Sequence, residues 1–109
     1  MAGTLTRLKP IVLGGQNFVG FARAGYVNAR VIGASTAESF TVPSGAKWVN
    51  FSATVAFYAD FVTTAVVPAT DVTDGSSPVL NPGLRGLEGA ETISVISASA
   101  GVITAEFFK

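Results

Sequence analysis

Residues 47–61 constrain the fold more than any other segment, because apolar residues alternate there with small or polar ones. Successive side chains of a β-strand point to opposite faces, so this period of two predicts a strand that buries one face. The segment is longer than a usual strand, and we therefore expect a bulge or a bend near its middle. The other face, which begins at Trp48 and ends near Tyr58, is expected to contact solvent or a partner. The predicted buried positions are Val49, Phe51, Ala53, Val55, Phe57, Ala59 and Phe61.

A short strand at 38–42 precedes the long segment and is separated from it by turn residues. Phe40 and Val42 lie on one face of this strand. Pro43 presets the backbone angle of a turn, and Gly45 tolerates the angles at its exit. We therefore predict an antiparallel hairpin between this strand and the long one.

The C-terminal part contains another predicted pair of strands, at 92–97 and 101–108. Ile103, Ala105 and Phe107 alternate along the second of these strands, so they are expected to share its buried face. Three shorter strand candidates lie upstream, at 9–13, 18–21 and 26–32.

These strands predict a single all-β domain over 1–109, because no segment shows the period of an amphipathic helix. About seven or eight short strands separated by turn residues favour an antiparallel β-sandwich over a barrel, and the jelly roll is one form of such a sandwich. The expected core contains Val49, Phe51, Val55, Phe57, Ile103 and Phe107.

Two segments lack a periodic pattern. Residues 68–89 contain three prolines and four glycines, so they predict one long loop. Such a loop is held either by a neighbouring subunit or against the edge of its own sandwich, and the sequence leaves both alternatives open. Residues 1–8 are predicted to form an extended arm.

The composition removes most kinds of catalysis. The chain has no histidine and no cysteine, so it lacks the commonest general base, a thiol nucleophile and thiolate metal ligands. We therefore predict a protein that is not an enzyme and that uses no cofactor. Asp71 and Asp74 precede Gly75, a pattern that fits an Asx turn or a calcium loop, and the turn is the favoured interpretation.

Charged residues make up only 13% of the chain, about half the usual share, so part of the surface is expected to be buried against other subunits. Residues 1–47 carry a net charge of +4 and residues 48–109 a net charge of −4. These parts either neutralise each other within one fold or let a basic arm bind an acidic neighbour. The zero overall charge disfavours nucleic acid as a partner, and no apolar segment has the length of a membrane span.

Three stretches have a distinctive sequence: F-T-V-P-S-G-A-K-W-V at 40–49, A-V-V-P-A-T-D-V-T-D-G-S-S-P-V-L-N-P-G-L-R at 65–85, and S-V-I-S-A-S-A-G-V-I-T-A-E-F-F at 94–108. In these stretches the chain resembles a group of small tailed-phage and prophage proteins found near the major capsid protein. The resemblance implies a virion protein that is made in the bacterial cytoplasm. Its implied partners are the major capsid protein and copies of itself.

The resemblance does not distinguish the roles within the virion. The low charge content and the long loop favour capsid decoration, in which the protein lies on the phage head and acts as a cement that stabilises it. A neck or tail component is the alternative within the virion. A small carbohydrate- or nucleic-acid-binding β module is the alternative from another class.

Subunit contacts are expected on the long loop, on the basic arm and beside the long strand. Apolar residues of 71–85 are candidate anchors, and Pro78 and Pro82 stiffen this loop, which lowers the entropy cost of binding. The candidate interface residues are Arg7, Lys9, Trp48, Tyr58, Asp71, Asp74, Val79, Leu80, Leu84 and Arg85.

Overall fold

The computed structural model describes residues 25–109, which form eight β-strands. The predicted arm at 1–8 and the strand candidates at 9–13 and 18–21 lie outside the described residues. In chain order the strands are β1 (Tyr26–Ile32), β2 (Glu38–Thr41), β3 (Trp48–Ala53), β4 (Tyr58–Asp60), β5 (Val79–Leu80), β6 (Leu84–Gly86), β7 (Thr92–Ile96) and β8 (Gly101–Phe108).

The strands form two four-stranded antiparallel sheets, and no helix occurs within 25–109. Sheet 1 has the strand order β1-β8-β3-β6, and sheet 2 has the order β2-β7-β4-β5. Every connection between consecutive strands passes from one sheet to the other, except that β4 and β5 are neighbours in sheet 2. The prediction of an all-β fold with antiparallel sheets is confirmed.

Both sheets contribute to one hydrophobic core that lies between them. Phe51 from sheet 1 and Phe40 from sheet 2 meet across this core, with their ring centroids 6.1 Å apart. Of the six predicted core residues, all but Val55 are buried, and Val55 is partly buried. The core residues are Ile32, Phe40, Val49, Phe51, Phe57, Ala59, Leu87, Ile93, Val95, Ile103, Ala105 and Phe107.

The long alternating segment forms two strands, β3 and β4, that belong to different sheets. The predicted bend lies at 54–57 between them. There the Thr54 N–H donates to the Val102 carbonyl at 3.0 Å, and Thr54 Oγ1 accepts the Val102 N–H at 3.0 Å. The inner faces of both sheets point to the same core. Odd-numbered residues are therefore buried on both sides of the bend, as Phe51 and Phe57 are. Val55 and Phe61 are partly buried, and the prediction that Ala53 is buried is wrong, because it is exposed at the end of β3, where the chain leaves sheet 1.

This bend lies against the start of β8, where a glycine is required. A Cβ on Gly101 would lie 2.7 Å from Val55 Cγ2 and 2.8 Å from Thr54 Oγ1, closer than real side chains approach. The bend is also fixed by buried Ser97, whose hydroxyl donates to the Ala56 carbonyl at 2.6 Å.

Replacing Gly101 with alanine is expected to lower the free energy of unfolding by about 1–3 kcal/mol, because the stiff Val55 side chain must move. Urea denaturation measures this change. Gly33→Ala is the matched control, since its Cβ would approach no atom closer than Thr36 Oγ1 at 3.6 Å. Equal effects of the two substitutions would contradict a steric requirement at Gly101.

The predicted hairpin and the predicted pairing of the two C-terminal strands are both wrong, because the turns between these strands join the two sheets. β2 pairs with β7, whereas β3 pairs with β6 and β8. The turn between β2 and β3 does form: the Ala46 N–H donates to the Pro43 carbonyl at 3.2 Å, and Gly45 has a φ of +83°. β7 and β8 likewise lie in different sheets. Turn residues fix local backbone angles, but burial against the core decides which sheet the next strand joins.

The segment 68–89, predicted as one loop, contains two short strands. β5 is the edge strand of sheet 2 beside β4, and β6 is the edge strand of sheet 1 beside β3. Residues 68–78 before them contain no strand. The second half of the segment therefore adds one edge strand to each sheet.

Candidate interaction surface

The outer surface of sheet 1 is an open β-sheet face. Strand pairing places Trp48 opposite Phe108 and Asn50 opposite Glu106. These side chains alternate with buried ones such as Val49, so they point away from the core. We call this surface the sheet-1 face. Its outward positions are Val27, Ala29, Val31, Trp48, Asn50, Ser52, Leu84, Gly86, Val102, Thr104, Glu106 and Phe108.

Large apolar side chains are exposed on the sheet-1 face, which carries little charge. Glu106 is the single ionisable residue at its outward positions, and its Oε1 accepts a hydrogen bond from Asn50 Nδ2 at 3.0 Å. A partner covering this face would therefore remove little charge from water. The exposed fractions of its apolar residues include 81% for Val31, 54% for Val27, 51% for Trp48 and 42% for Leu84.

Trp48 lies against Gly86, which is opposite it on β6. A Cβ on Gly86 would lie 3.4 Å from Cζ3 of the indole. The missing side chain thus lets the ring lie on the β6 backbone, which supports it while half of its surface stays exposed.

The outer surface of sheet 2 is partly covered by the chain that follows β4. Ala65 is buried there, and its N–H donates to Ser94 Oγ on β7 at 2.8 Å. Asp60 fixes the start of this loop, since its Oδ1 accepts the N–H groups of Val62 and Thr63 at 2.8 and 2.9 Å. Burial raises the pKa of Asp60, but these hydrogen bonds outweigh it and hold the pKa below its usual value. Within the described part of the chain, the sheet-1 face is therefore the more open of the two outer surfaces.

The structure separates the predicted interface residues beside the strands into two groups. Trp48 and Leu84 lie on the sheet-1 face, whereas Tyr58 and Leu80 are opposite each other on sheet 2. The prediction that Trp48 and Tyr58 lie at the two ends of one common face is wrong, because the bend at 54–57 moves β4 into the other sheet.

The connection between β5 and β6 is held by its own domain. The Asn81 N–H donates to the Phe57 carbonyl at 2.8 Å, and Asn81 Oδ1 accepts the Phe57 N–H at 3.0 Å. The Phe51 N–H donates to the Gly83 carbonyl at 2.9 Å. Pro82, which lies between Asn81 and Gly83 in the chain, is buried. This part of the long segment follows the alternative in which the loop lies against the edge of its own sandwich.

The remaining predicted interface residues are dispersed. Val79 and Arg85 are exposed on the edge strands β5 and β6, and Asp71 is exposed in the irregular part of the segment. Arg7 and Lys9 lie outside the described residues. The structure therefore brings together only Trp48 and Leu84 of this set on the sheet-1 face.

Asp74 forms the predicted Asx turn. Its Oδ1 accepts the Ser76 hydroxyl at 2.6 Å and the Ser76 N–H at 3.0 Å, and these bonds hold the pKa of Asp74 below its usual value. Within 25–109, no three acidic, histidine or cysteine side chains lie close enough together to hold a metal ion.

Sequence reasoning missed the contribution of β1 and β8 to the sheet-1 face. The spacing of Val27 and Val31 places both on one side of β1. That spacing does not reveal that β1 and β3 both flank β8, which brings these valines, Phe108 and Trp48 onto one surface.

The sheet-1 face can bind another surface through apolar and aromatic contacts, with the Asn50–Glu106 pair as its polar group. The described residues include no helix with the length and apolar character that a membrane crossing requires. Comparisons of the chain with protein-family models, with curated proteins and with solved structures found no match.

Proposed function

We propose that this protein is a non-enzymatic structural component of a phage virion, a decoration protein that binds the outside of the head through its sheet-1 face. The resemblance of 40–49, 65–85 and 94–108 to small phage proteins supports the virion role. The observation that carries the binding mode is the open sheet-1 face, which exposes Val31, Trp48 and Leu84 and has one ionisable outward residue.

The strand order supports a jelly-roll topology for this protein. The order β1-β8-β3-β6 facing β2-β7-β4-β5 agrees with an eight-stranded sandwich built from two Greek keys. Jelly rolls occur among viral capsid domains and also among lectins, so this topology is compatible with the proposal without selecting it.

Burial of the sheet-1 face supplies the binding energy in this proposal. Each Å² of apolar surface removed from water stabilises the contact by about 25 cal/mol, before the entropy cost of association is subtracted. One copy therefore binds the phage head with moderate affinity. Many copies, repeated by the symmetry of the head and in contact with the major capsid protein and with each other, resist internal DNA pressure together.

The copy number on purified virions tests the decoration role. We expect the protein in a fixed ratio to the major capsid protein, distributed over the whole head in cryo-electron microscopy. A small fixed number of copies at one vertex would instead support the alternative of a neck or tail component. Absence from the virion would exclude both.

A carbohydrate-binding module is the second candidate, because aromatic and polar groups meet on the sheet-1 face. The half-exposed Trp48 is opposite Phe108, and the Asn50–Glu106 pair lies beside them, a set that suits the apolar face and hydroxyl groups of a sugar. Glycan binding by the purified protein that is lost in Trp48→Ala would favour this candidate. The decoration proposal expects no such binding.

A further inference from the structure

Among the strands of 25–109, four are edge strands, and these differ in length. β2, β5 and β6 contain four, two and three residues, whereas β1 contains seven. An edge strand presents unpaired N–H and C=O groups that can pair with another strand, and short edges limit this pairing. β1 is therefore the edge with the greatest capacity to accept a further strand.

β1 has few of the other features that protect an edge. All seven of its residues pair with β8 in an unbroken register, so no bulge twists it away, and it contains no proline. Its one charged residue, Arg30, forms an ion pair with Glu38, in which the guanidinium Nη2 lies 2.7 Å from Oε1. Val27 and Val31 are 54% and 81% exposed on its outward side.

We propose that β1 pairs antiparallel with β1 of a second copy, about a two-fold axis at Ala29. This pairing would join sheet 1 of both copies into one continuous eight-stranded sheet. It does not depend on the proposed virion function, because it needs only two copies of this chain.

The sequence of β1 is complementary to itself in this register. On the outward side, Ala29 lies opposite Ala29 of the second copy, and Val27 lies opposite the partner's Val31, so only apolar side chains meet. On the inward side, Arg30 lies opposite the partner's Asn28. The register uses all seven residues of β1, because Tyr26 then lies opposite the partner's Ile32.

Neighbouring registers fit less well. An axis at Arg30 places the two guanidinium groups directly opposite each other, which is unfavourable. An axis at Asn28 leaves Val31 and Ile32 without an opposing residue of β1. Length and charge therefore both favour the axis at Ala29.

Sedimentation of the full chain over a range of concentrations tests the dimer. We expect a reversible dimer of twice 11.1 kDa. Val31→Lys should weaken it by about tenfold or more, because each dimer then loses two cross-strand Val27–Val31 contacts and carries two lysines on the pairing edges, where charge opposes strand addition. Val62→Lys is the matched control: Val62 is 91% exposed in the loop after β4 and should leave the dimer unchanged. A wild-type monomer at all concentrations, or equal dimers in wild type and Val31→Lys, would overturn the proposal.

Cysteine cross-linking tests the register without relying on the lysine variants, because the chain has no cysteine of its own. Ala29→Cys should form a disulfide-linked dimer on mild oxidation, since the two cysteines face each other across the axis. Val31→Cys should not, because its two copies would lie about 13 Å apart along the strands. Equal cross-linking of both variants would contradict the register.

Hydrogen exchange distinguishes pairing with a second copy from cover of this edge by the same chain. A monomeric chain whose β1 amides are all protected would show that residues 1–24 of the same chain cover the edge, which would overturn pairing with a second copy. Protection of β1 that is lost in Val31→Lys, together with the dimer, would support it.

Discussion

Replacing Phe51 with alanine is expected to lower the free energy of unfolding by about 3–5 kcal/mol, a large share of the stability of a domain of this size. The Phe51 ring makes edge-to-face contacts with Phe40, Phe57 and Phe61, at centroid distances of 6.1, 5.6 and 6.5 Å. Phe40 belongs to sheet 2, so the loss leaves a cavity between two sheets that are each fixed by their own hydrogen bonds. Urea or thermal denaturation measures the change.

Phe51→Leu is the control for this prediction. Leucine keeps most of the apolar volume, so the expected loss is below about 1.5 kcal/mol. A cost of less than about 1 kcal/mol for Phe51→Ala would mean that the two sheets close over the cavity, which would contradict the expectation that their hydrogen bonds keep it open.

Leu84→Lys is expected to weaken binding to the phage head by at least about 2 kcal/mol per copy, or about 30-fold, if the sheet-1 face is the binding surface. Leu84 is 42% exposed, so lysine is tolerated in the free protein, but the covered face would bury an unpaired charge. Occupancy of the protein on heads that lack the wild-type copy, measured at several concentrations, gives the effect.

Leu80→Lys is the matched control for this prediction. Leu80 is 50% exposed on an edge strand as well, but it belongs to sheet 2, so the same change of charge should leave head binding unaltered. Thermal unfolding of both variants should be close to that of the wild type. Loss of binding in Leu80→Lys alone would place the contact on the opposite side of the sandwich.

Side-chain periodicity predicted most of the buried residues, with the exposed Ala53 as an exception, but not which sheet they belong to. Val49 and Phe57 are both in the core as expected, although the chain has left sheet 1 for sheet 2 between them. The inner faces of both sheets face the same core. A chain that bends from one sheet to the other therefore keeps its alternation of buried and exposed side chains. No pattern of residues within 47–61 could therefore reveal the change of sheet.

Turn residues likewise did not indicate which sheet the next strand joins. Pro43 and Gly45 correctly predicted a turn, but the same backbone angles serve a hairpin and a connection between sheets. β5 and β6 were missed for a different reason, since strands of two and three residues are too short for periodicity to indicate.

The candidate surface was predictable only in part. Trp48 and Leu84 were singled out by their residue types and by the length of the loop, and both are exposed. Their grouping with Val27, Val31 and Phe108 depends on pairing between β1, β8 and β3, which are distant in sequence. Long-range pairing of this kind follows from the closure of the whole core and not from any local signal.

The strand order has a consequence for how the chain folds. β8 is the central partner of β1 and β3, and β7 is the central partner of β2 and β4, so the last two strands of the sequence complete both sheets. The first strands therefore have few native neighbours until the chain ends are brought together, and the entropy of closing these large loops is lost before the contacts compensate for it. We expect slow, single-exponential refolding, in milliseconds to seconds, without a stable intermediate made of β1 to β6.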